Sequence, residues 1–81
     1  VSRREKLLER VRNNPRNVRL DDLCTLLTGF GFECAREAGS HRIFRHPGPP
    51  PRTCNVQRQP DGKAKPYQVE QVLEAIDALT R

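Results

Sequence analysis

Apolar residues recur along this chain with two different periods. Leu20, Leu23, Cys24 and Leu27, with Leu26 alongside, follow the i, i+3, i+4, i+7 spacing of an amphipathic helix, and Val69, Val72, Leu73, Ile76 and Leu79 repeat it near the end of the chain. The first series predicts a helix over residues 20–30. Asp21 and Asp22 in its first turn complement the positive end of the helix dipole, and Gly31 can supply the left-handed residue that closes it. The second predicts a C-terminal helix opening at Pro66, where proline's missing N–H leaves no intrahelical bond unmade. Upstream, Ser2 and Glu5 have the spacing of a capping box and predict a first helix over residues 3–12. Its apolar stripe is only Leu7, Leu8 and Val11, so this helix either leans on the body of the protein or stands apart from it. Asn13, Asn14 and Pro15 end it, leaving a connector to Asn17.

Between the two later helices the period falls to two. Residues 32–37, 41–46 and 52–58 read as extended segments, separated by Ala38-Gly39-Ser40 and by the stiff Pro-Gly-Pro-Pro-Pro tip that begins at Pro47. They predict a three-stranded antiparallel meander. In the first, Phe32 and Cys34 oppose Glu33 and Glu37; in the third, Cys54 and Val56 oppose Thr53, Asn55 and Gln57, giving one apolar and one polar face. The middle segment holds both Ile43 and Phe44, so alternation leaves its facing open. Asp61-Gly62 marks the turn before the last helix. The predicted class is α+β: from Leu20 onward an α-β-β-β-α two-layer sandwich, preceded by an extra N-terminal helix, with both later helices on one face and the other face open to solvent. Phe30 and Tyr67 are read as core or boundary packing, and Glu70, Glu74 and Asp77 as the polar face of the last helix.

Composition narrows the function. A chain of 81 residues makes one domain, and at this size only about 60% of the unfolded surface is buried, which leaves no room for a deep, enclosed active site. Lys and Arg number 15 against 10 Asp and Glu, a net charge of +5 that favours polyanionic partners, nucleic acid first among them. Twelve of those basic residues are arginine, whose planar fork binds phosphate in a bidentate manner, although a basic surface also serves simple solvation. No run of eighteen apolar residues exists, and the N-terminal stretch is charged rather than apolar, so a cytoplasmic protein without a membrane segment is expected. Cys24, Cys34 and Cys54 are odd in number and widely spaced; they are read as small apolar side chains, with no metal site and no cofactor expected.

The chemistry lies in Gly39-Ser40-His41-Arg42-Ile43-Phe44-Arg45-His46-Pro47. Alternation sends His41, Ile43 and Arg45 to one side of the middle strand and Arg42, Phe44 and His46 to the other, so the two imidazoles do not face a common substrate. Cleaving RNA without a metal requires a group that takes the proton from the 2′-hydroxyl and a cation that neutralises charge on the phosphorane. His41 is the candidate for proton transfer, as general base or acid, while Arg42, Arg45 and Arg58, with Lys63 and Lys65 nearby, are candidates for RNA binding. Gly39 and Ser40 join them because a tight turn there lets a nucleotide approach. Taken locally, His41 is also what an ordinary strand-end surface histidine looks like.

Residues 18–79 resemble the HicA (YcfA-like) toxin family. The resemblance is carried by the Leu-rich helix Leu20 to Leu27, the Gly31-Phe32 step, the string Gly39 to Pro47, the strand Thr53 to Arg58 and the Lys65-Pro66 helix. It implies a double-stranded-RNA-binding-like fold, an mRNA interferase whose single essential histidine matches His41, and a HicB-type antitoxin that masks that histidine. It divides the chain into an N-terminal extension, residues 1–17, and a toxin domain, residues 18–81. Two features depart from the family pattern. Gln57-Arg58-Gln59 stands where Pro-Arg-His is frequent, which removes any auxiliary role for that last histidine, and the first helix and the Pro-rich tip are additions to the minimal domain. The alternative function is a non-catalytic RNA-binding module of the same fold.

Overall fold

The computed structural model describes residues 3–80 and runs α1 (Arg3–Asn13), α2 (Leu20–Gly29), β1 (Glu33–Ala38), β2 (His41–His46), β3 (Arg52–Gln57) and α3 (Pro66–Thr80). From α2 onward this is the expected α-β-β-β-α order of a double-stranded-RNA-binding-like fold, with a helix added in front. The serine of the expected capping box, Ser2, lies outside the described residues. Helix α1 leans on the body. Val11 is buried, Leu7 and Leu8 pack against the common core, and the Arg4 guanidinium sits 4.6 Å from the centre of the Phe30 ring while donating to the Gly29 carbonyl at 3.2 Å. Arg10 pairs with Asp22 of α2, and Arg12 with Asp77 of α3, so Asp77 ties two helices together besides facing water.

Helix α2 ends as its glycine suggests. Gly31 adopts φ +91°, Gly31 N–H donates to the Thr28 carbonyl, and Phe32 N–H reaches back to the Leu27 carbonyl, the paired bonds of a Schellman closure. Phe32 is thereby turned into the core beside Leu27. Leu20, Leu23, Leu26 and Leu27 of α2 and Val69, Val72 and Ile76 of α3 are buried with Phe44, Cys54 and Val56, so both helices share one face of the sheet. The ambiguity in β2 resolves accordingly: Phe44 faces the helices, and Ile43 lies half-buried on the open side.

The sheet order is β1-β2-β3, both pairs antiparallel. Between β2 and β3 the register is regular, with Phe44 opposite Cys54 and Arg42 opposite Val56. Between β1 and β2 it shifts. Cys34 pairs with Phe44 but Arg36 pairs with Ile43, leaving Ala35 as one extra residue, a bulge. Residues directly opposite one another share a face, so Cys34 and Glu37 lie on the helix side, while Glu33, Arg36 and Ala38 lie on the open side. The expectation that Glu37 would join Glu33 on the polar face is therefore corrected. The reading of Cys34 as an apolar filler is corrected too: every residue of β1 is exposed, because the two helices do not extend over this edge strand.

Past β3 the chain makes a tight loop. Gly62 has φ +84°, the Asp61 carboxylate accepts from Lys63 N–H at 3.0 Å, and Ala64 N–H donates to the Val18 carbonyl at 2.8 Å. This fastens the entry to α2 against the approach to α3 and brings the start of α3 to the end of the sheet where β2 begins.

Candidate active site

His41 opens β2 directly after the two-residue turn Gly39-Ser40, opposite Ala38 on one side and Gln57 on the other. Gly39 has φ +60°, which suits the first central position of a tight hairpin turn and which other residues rarely adopt. A side chain added there would meet nothing within 4 Å, so the space beside the turn is open. The Ser40 carbonyl accepts from Arg58 N–H at 3.1 Å, tying the end of β3 to the turn. Thus one hairpin, closed by a glycine and pinned by β3, fixes the backbone that carries the imidazole.

The His41 side chain is exposed, and among the described residues no hydrogen bond or ion pair engages it. It borders an open concavity of about 410 Å³ that runs from the open sheet face to the start of α3. Arg36, Ile43, Asn55 and Gln57 line the sheet side, and Tyr67 and Gln68 the helix side. Gln68, itself buried, accepts from Gln57 N–H through its Oε1 at 2.7 Å, which holds α3 against the end of β3 and sets the position of Tyr67. Tyr67 is 55% exposed, so the expectation of a packing role is corrected: its ring faces solvent at the rim of the concavity. The arrangement offers an imidazole that can take or give a proton, two guanidiniums, a phenol and three amides around one open depression.

The other residues singled out by sequence are distributed unequally. Gly39 and Ser40 stand at the site. Arg42 borders the concavity, yet its guanidinium is held by Glu37, with Nε 3.4 Å from Oε1, and by the Cys24 sulfur, 3.4 Å from Nη1. Burial pushes the Cys24 thiol up, an effect partly offset by Arg42, and the Cys24 contact followed by Glu37 raises Arg42 in turn. Arg45 shares the open face with His41 but lies at the far end of β2, beside a second concavity of about 420 Å³. Arg58 pairs with Asp21 at 2.9 Å. Lys63 lies in the loop after β3, and Lys65 immediately precedes α3, its carbonyl accepting from Gln68 and Val69.

His46 is placed apart from His41. Its Nδ1 accepts from Gly48 N–H at 3.0 Å and its ring lies 5.1 Å from that of Phe32, so it braces the Pro-rich turn against the core. The structure adds Arg36, Asn55, Gln57, Tyr67 and Gln68 to the neighbourhood of His41. Alternation around Cys54 and Val56 already pointed Asn55 and Gln57 outward. Arg36 was hidden by the bulge, and Tyr67 and Gln68 by a long-range contact.

Among the described residues, no three His, Cys, Asp or Glu side chains are grouped so that they could hold a metal ion, and no helix is long and apolar enough to cross a membrane. A family model described as the HicA toxin of bacterial toxin-antitoxin matches residues 20–78, from the first residue of α2 to near the end of α3. Neither the curated proteins nor the solved structures give a match.

Proposed function

Because this chain belongs to the HicA toxin family of toxin-antitoxin systems, we propose that it is a metal-independent endoribonuclease, an mRNA interferase with His41 as its one catalytic histidine. The observation that carries this reading is the exposed, unengaged imidazole at the start of β2, set in an open concavity beside a guanidinium on a basic protein. Its position on an open sheet face suits an extended polymer better than a small enclosed substrate.

In this reading His41 takes the proton from a ribose 2′-hydroxyl. The freed O2′ attacks the adjacent phosphorus, the bond from phosphorus to O5′ breaks, the departing oxygen takes a proton from solvent water, and His41 returns its proton to solvent. The products are a 2′,3′-cyclic phosphate and a 5′-hydroxyl. Cationic side chains offset the charge that builds on the phosphorane oxygens. Gly39 and Ser40 give the nucleotide room, and Arg42, Arg45, Arg58, Lys63 and Lys65 supply binding positions along the backbone of the RNA, Arg42 and Arg58 after exchanging Glu37 and Asp21 for phosphate. Residues 18–81 form the toxin domain and residues 1–17 its extension. The protein acts in the cytoplasm on mRNA, and a HicB-type antitoxin silences it by covering His41.

The test is incubation of the purified protein with RNA in EDTA, beside His41→Ala. The wild type is expected to cleave and the variant to bind RNA without cleaving it. Equal cleavage by both proteins rejects His41, and binding without turnover by both identifies a non-catalytic RNA-binding module instead.

A further inference from the structure

We propose that Arg36 is the cation that neutralises the scissile phosphate at His41, and that the bulge at Ala35 is the device that delivers it; this rests on the catalytic reading of His41. Three observations converge. Arg36 pairs with Ile43, the residue two along β2 from His41 on the same face. His41 itself lies opposite Ala38, so Arg36 is its diagonal neighbour, a separation of about 7–8 Å between backbones that a long side chain spans. Both side chains line the same concavity.

The other arginines near β2 are less suited to that role. Arg42 is held by Glu37 and Cys24, Arg58 by Asp21, and Arg45 borders a different depression. Arg36 is exposed, and among the described residues no carboxylate pairs with its guanidinium. The bulge explains why it is there. A strand continuing in the phase set by Phe32 and Cys34 would turn Arg36 to the helix side of the sheet and present Glu37 on the open face. The extra residue lets Phe32 and Cys34 keep their places while the cation and the carboxylate exchange sides. Glu37 is then drawn off to Arg42, which removes a negative charge from the face that would meet the phosphate.

The test compares kcat and KM for cleavage of one RNA oligonucleotide in EDTA by the wild type, Arg36→Ala, Arg36→Lys and Arg16→Ala. Arg16 is exposed in the connector after α1 and controls for the loss of one positive charge. Loss of a preorganised group that stabilises transition-state charge lowers kcat by roughly 100-fold or more. Arg36→Ala is expected to show that fall with an unchanged melting curve, Arg36→Lys to recover about tenfold of it, and Arg16→Ala to stay within about twofold of the wild type. Arg36→Ala within about threefold of the wild-type kcat, or no lower than Arg16→Ala, overturns the assignment. His41→Ala, run alongside, separates the two failures: if it is inactive while Arg36→Ala is active, only the role of Arg36 falls, and if it cleaves like the wild type, the catalytic reading falls with it.

Discussion

The two ends of β2 carry the same residue in opposite circumstances. At the entrance, His41 projects from the open face after a two-residue turn, with an imidazole that no described side chain engages. At the exit, His46 projects to the helix side, packs on Phe32, accepts from Gly48 N–H, and lies so near the chain at Gly31 that a Cβ added there would come within 3.1 Å of its Nε2. The two lie five positions apart, an odd interval that puts them on opposite faces of a strand. The difference teaches that residue type says little here: an imidazole with satisfied contacts braces a fold, and an imidazole left unengaged at an open concavity is available to a ligand.

The strongest way to break this contrast is to remove each ring in turn. His41→Ala is expected to lower RNA cleavage by about 10²–10⁴-fold, the usual contribution of a general acid or base, while the thermal melt stays put because the exposed ring contributes little packing. His46→Ala is expected to do the reverse. Losing the ring contact and the bond from Gly48 destabilises the fold by about 1–3 kcal/mol in a denaturant titration, with cleavage per folded molecule within about threefold of the wild type. Gly31→Ala sharpens the exit side. Its left-handed backbone and the nearby imidazole together predict a loss of about 1–2 kcal/mol, and the loss shrinks in a His46→Ala background, where the steric part is gone and the backbone part remains. At the small end, Arg10→Ala breaks an exposed ion pair with Asp22 far from both histidines and is expected to change stability by less than about 0.5 kcal/mol.

A chemical probe extends the comparison to the cysteines. Burial pushes the Cys24 and Cys54 thiols up, whereas Cys34 lies exposed on the edge strand. Brief alkylation of the native protein, followed by mass spectrometry, is expected to modify Cys34 first and to reach the other two readily only in denaturant. Early labelling of Cys54 would contradict the closed core beneath β3.

Much of the fold was legible from periodicity, because α2 and α3 each bury a full stripe and the three strands are bounded by glycine and proline. β2 was bounded correctly at His41 and His46, and its alternation already separated the two imidazoles. What alternation cannot encode is an interruption of itself. The bulge at Ala35 reversed the phase of β1 partway along, which misplaced Glu37 and concealed Arg36. Tyr67 was misjudged for another reason: an aromatic residue in the first turn of an amphipathic helix reads as core, and only the Gln57–Gln68 bond shows that this turn meets the sheet at its edge. The contacts that hold Arg42 were not legible either, because its partners, Glu37 and Cys24, come from a neighbouring strand and a helix.

The proposed role of the ring opening β2 is to act on a sugar hydroxyl. It is tested most directly by giving the protein, in EDTA, an RNA oligonucleotide with a single 2′-deoxy sugar on the 5′ side of the bond it cuts, and by identifying the ends left on the unmodified strand. Cleavage is predicted to vanish at the deoxy position and to leave a 2′,3′-cyclic phosphate with a 5′-hydroxyl on the ordinary strand. Undiminished cleavage beside the deoxy sugar, or products ending in 3′-hydroxyl and 5′-phosphate, would contradict it.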